Sequence, residues 1–488
     1  MNKLFKNISL LVLVGGTFAC SYDFPVTPIE EPTSGEADFT KMVVIGDGIA
    51  AGFMDGALYN RGQRNSFAVQ LATQMEAVGG GAFNVPDINS ENGYFGLGPG
   101  NIPLGRLILR TQNGTTAPAP IGLGDVPGAF SGNKTALNNF AVPNLTLGLA
   151  LISQTGGPNV PQNPAFNPLY ARFASNPGTS TPIGDAGAAL AGGGTFFTFW
   201  LGNSDVLGYA IGGASNPAIL TSDTDFAGRF NVALNAMLAA SPNAKGAVAN
   251  IPNLNVLPYF NLVPWNALPL DAGTAAFVNQ NFAQYNGGLL QMEQMGAISA
   301  EERALRTVNF QAGQNGFLMT DESLTDLTGF GLPSIRQSKS TDRATLTLSQ
   351  ALGQQVNNNP QAIRGVSSPV EDQFVLTPAE QTEIQNKITA FNQVIATAVQ
   401  ANTARLVLVD VNALLSRVLQ GQVNFGGQAL TASIIPPNGG FSVDGVHPNG
   451  RAHAFVANEF ITRINEKWGS NIPLINPNAV VGNDLPIQ

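Results

Sequence analysis

The chain contains only two histidines, and one of them, His447, follows an aspartate by three residues in Asp444-Gly445-Val446-His447-Pro448. A carboxylate at that offset can hold an imidazole in one orientation and stabilise its protonated form, as a general base requires. Two further segments place polar residues just after apolar runs: Gly46-Asp47-Gly48-Ile49 and Gly202-Asn203-Ser204-Asp205. Ligands of open α/β sheets collect beyond the carboxyl ends of strands, so these loops are candidate site loops. Asp47 and Asp205 read as loop-bracing or helix-capping carboxylates, and His453 as a helix-surface residue. Cys20 is the sole cysteine, which excludes an intrachain disulfide and a cysteine-based metal site. With so few histidines, no zinc site is spaced either. No metal and no cofactor are expected.

The elements that would position these residues follow from apolar patterning. Residues 41–46, 195–201, 246–251 and 405–410 are short apolar runs of the kind buried on both faces of a parallel sheet. Phe67, Leu71, Met75 and Val78 mark one helix face. Thr377, Pro378 and Glu380 form a capping box that opens a long helix with Ile384, Ile388, Phe391, Ile395 and Val399 on its buried side. A closing helix is expected over 455–468. Strands alternating with helices predict an α/β fold, a three-layer, flavodoxin-like parallel sheet. Two stretches exceed a minimal domain of that kind, about 82–194 and 257–373, and both read as loop and helix insertions. The second contains a helix opened by Ser299 and Glu302.

Only 11% of residues are charged, against a usual value of about 25%. The net charge is −9 and no basic cluster exists, which excludes nucleic acid as a partner. Residues 1–20 read as an export signal, with Lys3 and Lys6 before the apolar run 8–14 and small residues before Cys20. Thr17-Phe18-Ala19-Cys20 resembles a lipobox, which implies lipidation at Cys20. Residues 21–38, with Pro25, Pro28, Pro32 and Glu30-Glu31, read as a flexible tether. The folded body is expected over 39–470, followed by a C-terminal tail, 471–488. The expected location is a bacterial outer membrane, lipid-anchored at the cell surface or the periplasmic face.

The order and spacing of the loops resemble the SGNH/GDSL family of lipases and esterases. Its blocks are Gly-Asp-Ser-Leu, a loop glycine, Gly-x-Asn-Asp and Asp-x-x-His. Asp55-Gly56-Ala57-Leu58-Tyr59 and the segment from Gly202 to Ala210 resemble long Bacteroidetes surface lipoproteins of that family. The resemblance implies the family's fold, with Asp444 and His447 as its dyad. Three positions depart from it: Gly48 stands where the family has its nucleophilic serine, Asn144 where it has the loop glycine, and Ser204 where an asparagine helps hold the oxyanion. Hydrolysis by this route needs an oxygen nucleophile, and glycine supplies none. The expectation is therefore a pseudoenzyme, a non-catalytic binding or scaffold subunit. An outer-membrane barrel protein is its expected partner, and a lipid, acyl or glycan ligand is expected in the old cleft. The alternative is an active ester hydrolase with a rearranged nucleophile, for which Ser204 is the candidate.

Overall fold

The computed structural model describes residues 31–488 except 113 and 426. The expected signal, Cys20 and most of the tether lie outside the described residues. The fold is mixed α/β, built on four parallel strands: β1 (Met42–Gly46), β2 (Phe196–Trp200), β3 (Lys245–Ala249) and β4 (Leu406–Val409), in the order β1-β2-β3-β4. Val43 pairs with Phe197, Phe197 with Gly246, and Ala247 with Val407. Gly246 is required there, since a Cβ would lie 2.5 Å from the Phe197 ring. Residues 138–142 run along the free edge of β1. The Val44 N–H donates to the Asn138 carbonyl (2.8 Å), and the Phe140 and Val142 N–H groups donate to Val44 and Gly46 (2.8 and 3.1 Å).

The helices that matter here are α1 (Gly48–Ala51), α2 (Phe67–Met75), α3 (Pro182–Ala191), α4 (Ser204–Ile211), α5 (Asp223–Ala240), α6 (Ala272–Gln294), α7 (Pro378–Gln400), α8 (Val411–Leu419) and α9 (Gly450–Trp468). Successive strand residues point to opposite faces, and β2 shows both covered. Trp200 packs on Phe67 of α2 (5.3 Å between ring centroids) and Phe460 of α9, while Phe199 packs on Phe230 of α5 (5.3 Å). Phe226 of α5 stacks on Phe391 of α7 at 3.8 Å. The capping box opening α7 forms as its spacing predicts, with Ile384, Ile388, Phe391 and Ile395 buried.

Four boundaries differ from the sequence expectations. Much of 82–194 belongs to the main core rather than to an insertion: Val142, Leu145, Leu147, Tyr170, Phe173 and Leu190 are buried with the sheet, and α3 packs on β1 and α5. Its apolar residues come in short clusters with no helical or strand period, so their burial leaves no local signal. Residues within 257–373 instead build a second hydrophobic cluster around Val278, Tyr285, Leu289, Phe317 and Leu348, separate from the sheet core; we call this the lobe. Order begins before 39, because the Glu36 and Asn471 N–H groups donate to Trp468 and Thr33 at the end of α9. The tail docks too: Ile487 exchanges hydrogen bonds with Thr111 and Leu109 (2.8 and 3.0 Å), and Asp484 pairs with Arg61.

Candidate functional site

The two loops that follow β1 and β2 meet the segment before α9 at the carboxyl end of the sheet. Asp47 caps α1, its side chain accepting from the Ile49 N–H, and this fixes Gly48 as the first helical residue. Asn203 immediately precedes α4 without capping it through its side chain, and Ser204 is first in that helix. Asn144 lies on the loop after 138–142 with φ 61°, the left-handed conformation that a glycine adopts freely and asparagine tolerates. Gly48, Asn144, Asn203, Ser204 and His447 line one cavity, although Gly48 and His447 lie far apart in sequence.

His447 is held firmly. Its Nδ1 lies 3.0 Å from Asp444 Oδ2, and the Phe53 ring packs 4.9 Å from the imidazole. Asp444 also accepts from the Gly56, Val446 and His447 backbone N–H groups and from the Ser442 hydroxyl. Burial raises the cost of charge at Asp444, but the imidazole and these donors outweigh it and hold the carboxyl down at about 2. Burial likewise disfavours the charged imidazole, and Asp444, with Asp47 and Asp55 behind it, outweighs that and raises the pKa of His447. The ring is thus biased towards imidazolium. Among the described residues its Nε2 has no hydrogen-bond partner, and it faces Gly48: a Cβ built on Gly48 would stand 3.1 Å from that nitrogen.

Asp47 is buried, and burial raises its pKa against the Asn203 amide (3.1 Å) and the Ser204 hydroxyl (3.3 Å) that donate to it. Ser204 therefore turns its hydroxyl to Asp47, and no hydrogen bond joins it to His447 among the described residues. Asp205 is also buried, accepting from the Leu147 N–H and the Thr221 hydroxyl, and burial pushes its pKa up to about 6. Both aspartates brace loops.

His453 is not on the helix surface. It is fully buried, its Nδ1 accepts from the Phe67 N–H (3.1 Å), and burial pushes its pKa down to about 3, so it is a neutral core residue. Asp55, read in the sequence only as part of a family-like segment, has a structural role that reading did not assign. Its carboxylate accepts from Tyr59 (2.5 Å) and from the Val443 N–H (2.9 Å), while its own N–H donates to Ser442 (2.9 Å). It ties the loop after α1 to the one carrying Asp444. Its left-handed φ of 55° beside Gly56 was the available signal, since Asp-Gly marks a tight turn.

A second cavity adjoins the first and shares Ile49, Pro252, Leu257 and Val446 with it. Beyond that wall it is apolar, enclosed by Leu414, Leu415 and Val418 of α8 and by Phe455 and Val456 of α9. No family model matches the chain, and no curated protein matches it in sequence.

Proposed function

We propose that this chain is a lipid-anchored, SGNH-hydrolase-like protein that binds an acyl-chain carboxylate at the His447 cavity and does not hydrolyse esters. Counted with the edge segment 138–142, the parallel strands run 2-1-3-4-5 in chain order, which supports a flavodoxin-like sheet with ligands at its carboxyl edge. The observation that carries the reading is at Gly48. The place in front of His447 Nε2 where an attacking oxygen must sit is bounded by a residue with no side chain. What the site retains is the His447 ring, held by Asp444 and biased towards its charged, donating form, beside an apolar cavity. A donor of that kind suits a carboxylate, and the apolar cavity, about 80 Å³, suits the first few carbons of a hydrocarbon chain.

Calorimetric titration with saturated fatty acids tests this. Affinity should rise with chain length by up to about 0.8 kcal/mol per buried methylene until the cavity is filled. His447→Gln should weaken binding by about tenfold or more, the effect of losing a charge-assisted hydrogen bond. Because the pKa of His447 is raised, binding should be full below its ordinary value and fall as pH rises through the raised one. Affinity indifferent to both chain length and His447 would exclude the reading.

We place the partner surface on the projecting part of 82–133, where Leu97, Ile102, Leu123 and Val126 are each at least half exposed. Apolar side chains exposed within one stretch of chain suit an interaction site, and for a membrane-anchored chain the proposed partner is an integral outer-membrane protein. Replacing Leu97, Ile102, Leu123 and Val126 together with serine should abolish co-purification of a membrane protein from detergent extracts. Retention of every partner would count against it.

A further inference from the structure

Three carboxylates from separate parts of the chain meet where the lobe joins the sheet domain. Glu322 follows the strand Leu318–Thr320, Asp372 opens the turn Asp372–Phe374, and Glu380 sits in the first turn of α7. One oxygen from each lies within 4.8 Å of the others. The placement is built in. The Thr320 N–H donates to the Val370 carbonyl (3.1 Å), which sets Glu322 beside Asp372. Gly213, just past α4, has φ 65° and approaches so closely that a Cβ would lie 2.4 Å from the Asp372 carbonyl oxygen. No other residue would let the sheet domain's backbone come so near.

Glu380 is the informative member. Its residue is 8% exposed, and its Oε2 accepts from the Thr377 N–H (2.6 Å) and hydroxyl (2.8 Å). Its Oε1 is buried and has no partner. A buried polar atom left unpaired is destabilising, and more so if it is charged. Among the described residues none of the three carboxylates forms an ion pair. The cluster is short of positive charge.

We propose that Glu322, Asp372 and Glu380 bind a divalent cation, Ca²⁺, which pins the lobe to the sheet domain. The donors are all hard oxygens. Ca²⁺–oxygen bonds of about 2.3–2.6 Å allow ligands up to about 5 Å apart across the ion, with water and backbone oxygens completing the shell. This goes beyond the sequence expectation of no metal, which found no carboxylates spaced for a zinc site. It stands apart from the His447 cavity and does not depend on any ligand there.

The test is calorimetry and thermal unfolding of the whole protein after EDTA treatment and dialysis. Titration with CaCl₂ should show one site, and 1 mM Ca²⁺ should raise the melting midpoint by about 2–4 °C. Asp372→Asn and Glu322→Gln leave the α7 cap intact. Each should abolish the calcium response while the calcium-free midpoint stays level or rises, because a like charge has been removed. Mg²⁺ at the same concentration should give less than half the shift. No calcium response in the wild type, an undiminished response in both variants, or a Mg²⁺ shift as large as that of Ca²⁺ would each overturn the assignment.

Discussion

Gly48→Ser combined with Ser204→Asn should make the protein a measurable esterase. The backbone at Gly48 is one that any residue adopts, and a serine Cβ there would stand 3.1 Å from His447 Nε2, so that a shift of the ring by a few tenths of an ångström brings the hydroxyl within reach of the base. Asp444 already orients that base. What the single Gly48→Ser variant lacks is the amide donor at 204, since Ser204 turns its hydroxyl to Asp47. Loss of one oxyanion donor costs about 10²–10³ in kcat where it has been measured. The single variant should therefore label slowly with a fluorophosphonate, and the double variant should turn over a short acyl ester about a hundredfold faster. Asn144 needs no change, because its left-handed backbone already follows the path a glycine would take. A double variant as silent as the wild type would mean that the site has drifted further than these two positions.

The second large effect is expected in the lobe. Arg336 is 3% exposed and lies between two buried carboxylates, its Nε donating to Asp321 (2.5 Å) and its two terminal nitrogens to Asp342 (2.7 and 2.8 Å). Removing one partner of a buried ion pair costs about 3–5 kcal/mol, because the charges left behind have neither water nor a counterion. Here two would be left. Arg336→Ala should therefore loosen the lobe locally, collapsing amide protection over residues 318–342 while β1 to β4 keep theirs. The lobe has its own hydrophobic cluster, so its opening need not unfold the sheet. Protection unchanged over 318–342 would show that Arg336 does not hold the lobe.

The parts of this molecule legible in its sequence are those encoded locally. The four strands are unbroken apolar runs, the α7 capping box lies within four residues, and Asp444 and His447 are near neighbours in the chain. Gly48 and Ser204 could be placed because each follows an apolar run that ends at the same edge of the sheet, whereas the family resemblance alone places Asn144. The rest depends on contacts between distant segments. Nothing near His453 announces that its Nδ1 will accept the Phe67 N–H, and without that partner it reads as a surface residue. The apolar residues of 138–150 are too few to show a period, yet they line the edge of β1 and are buried. The lobe's acidic cluster draws on positions 322, 372 and 380, which form no motif until Thr320 and Val370 are paired.

The most direct measurement is ester turnover by the unaltered protein. Purified wild type, incubated with p-nitrophenyl esters of short and long acyl chains at neutral pH, should release no p-nitrophenolate above the buffer rate. The missing nucleophile alone accounts for a deficit on the order of 10⁶ in enzymes of this mechanism. Turnover well above background in the wild type, abolished by His447→Ala, would contradict the account.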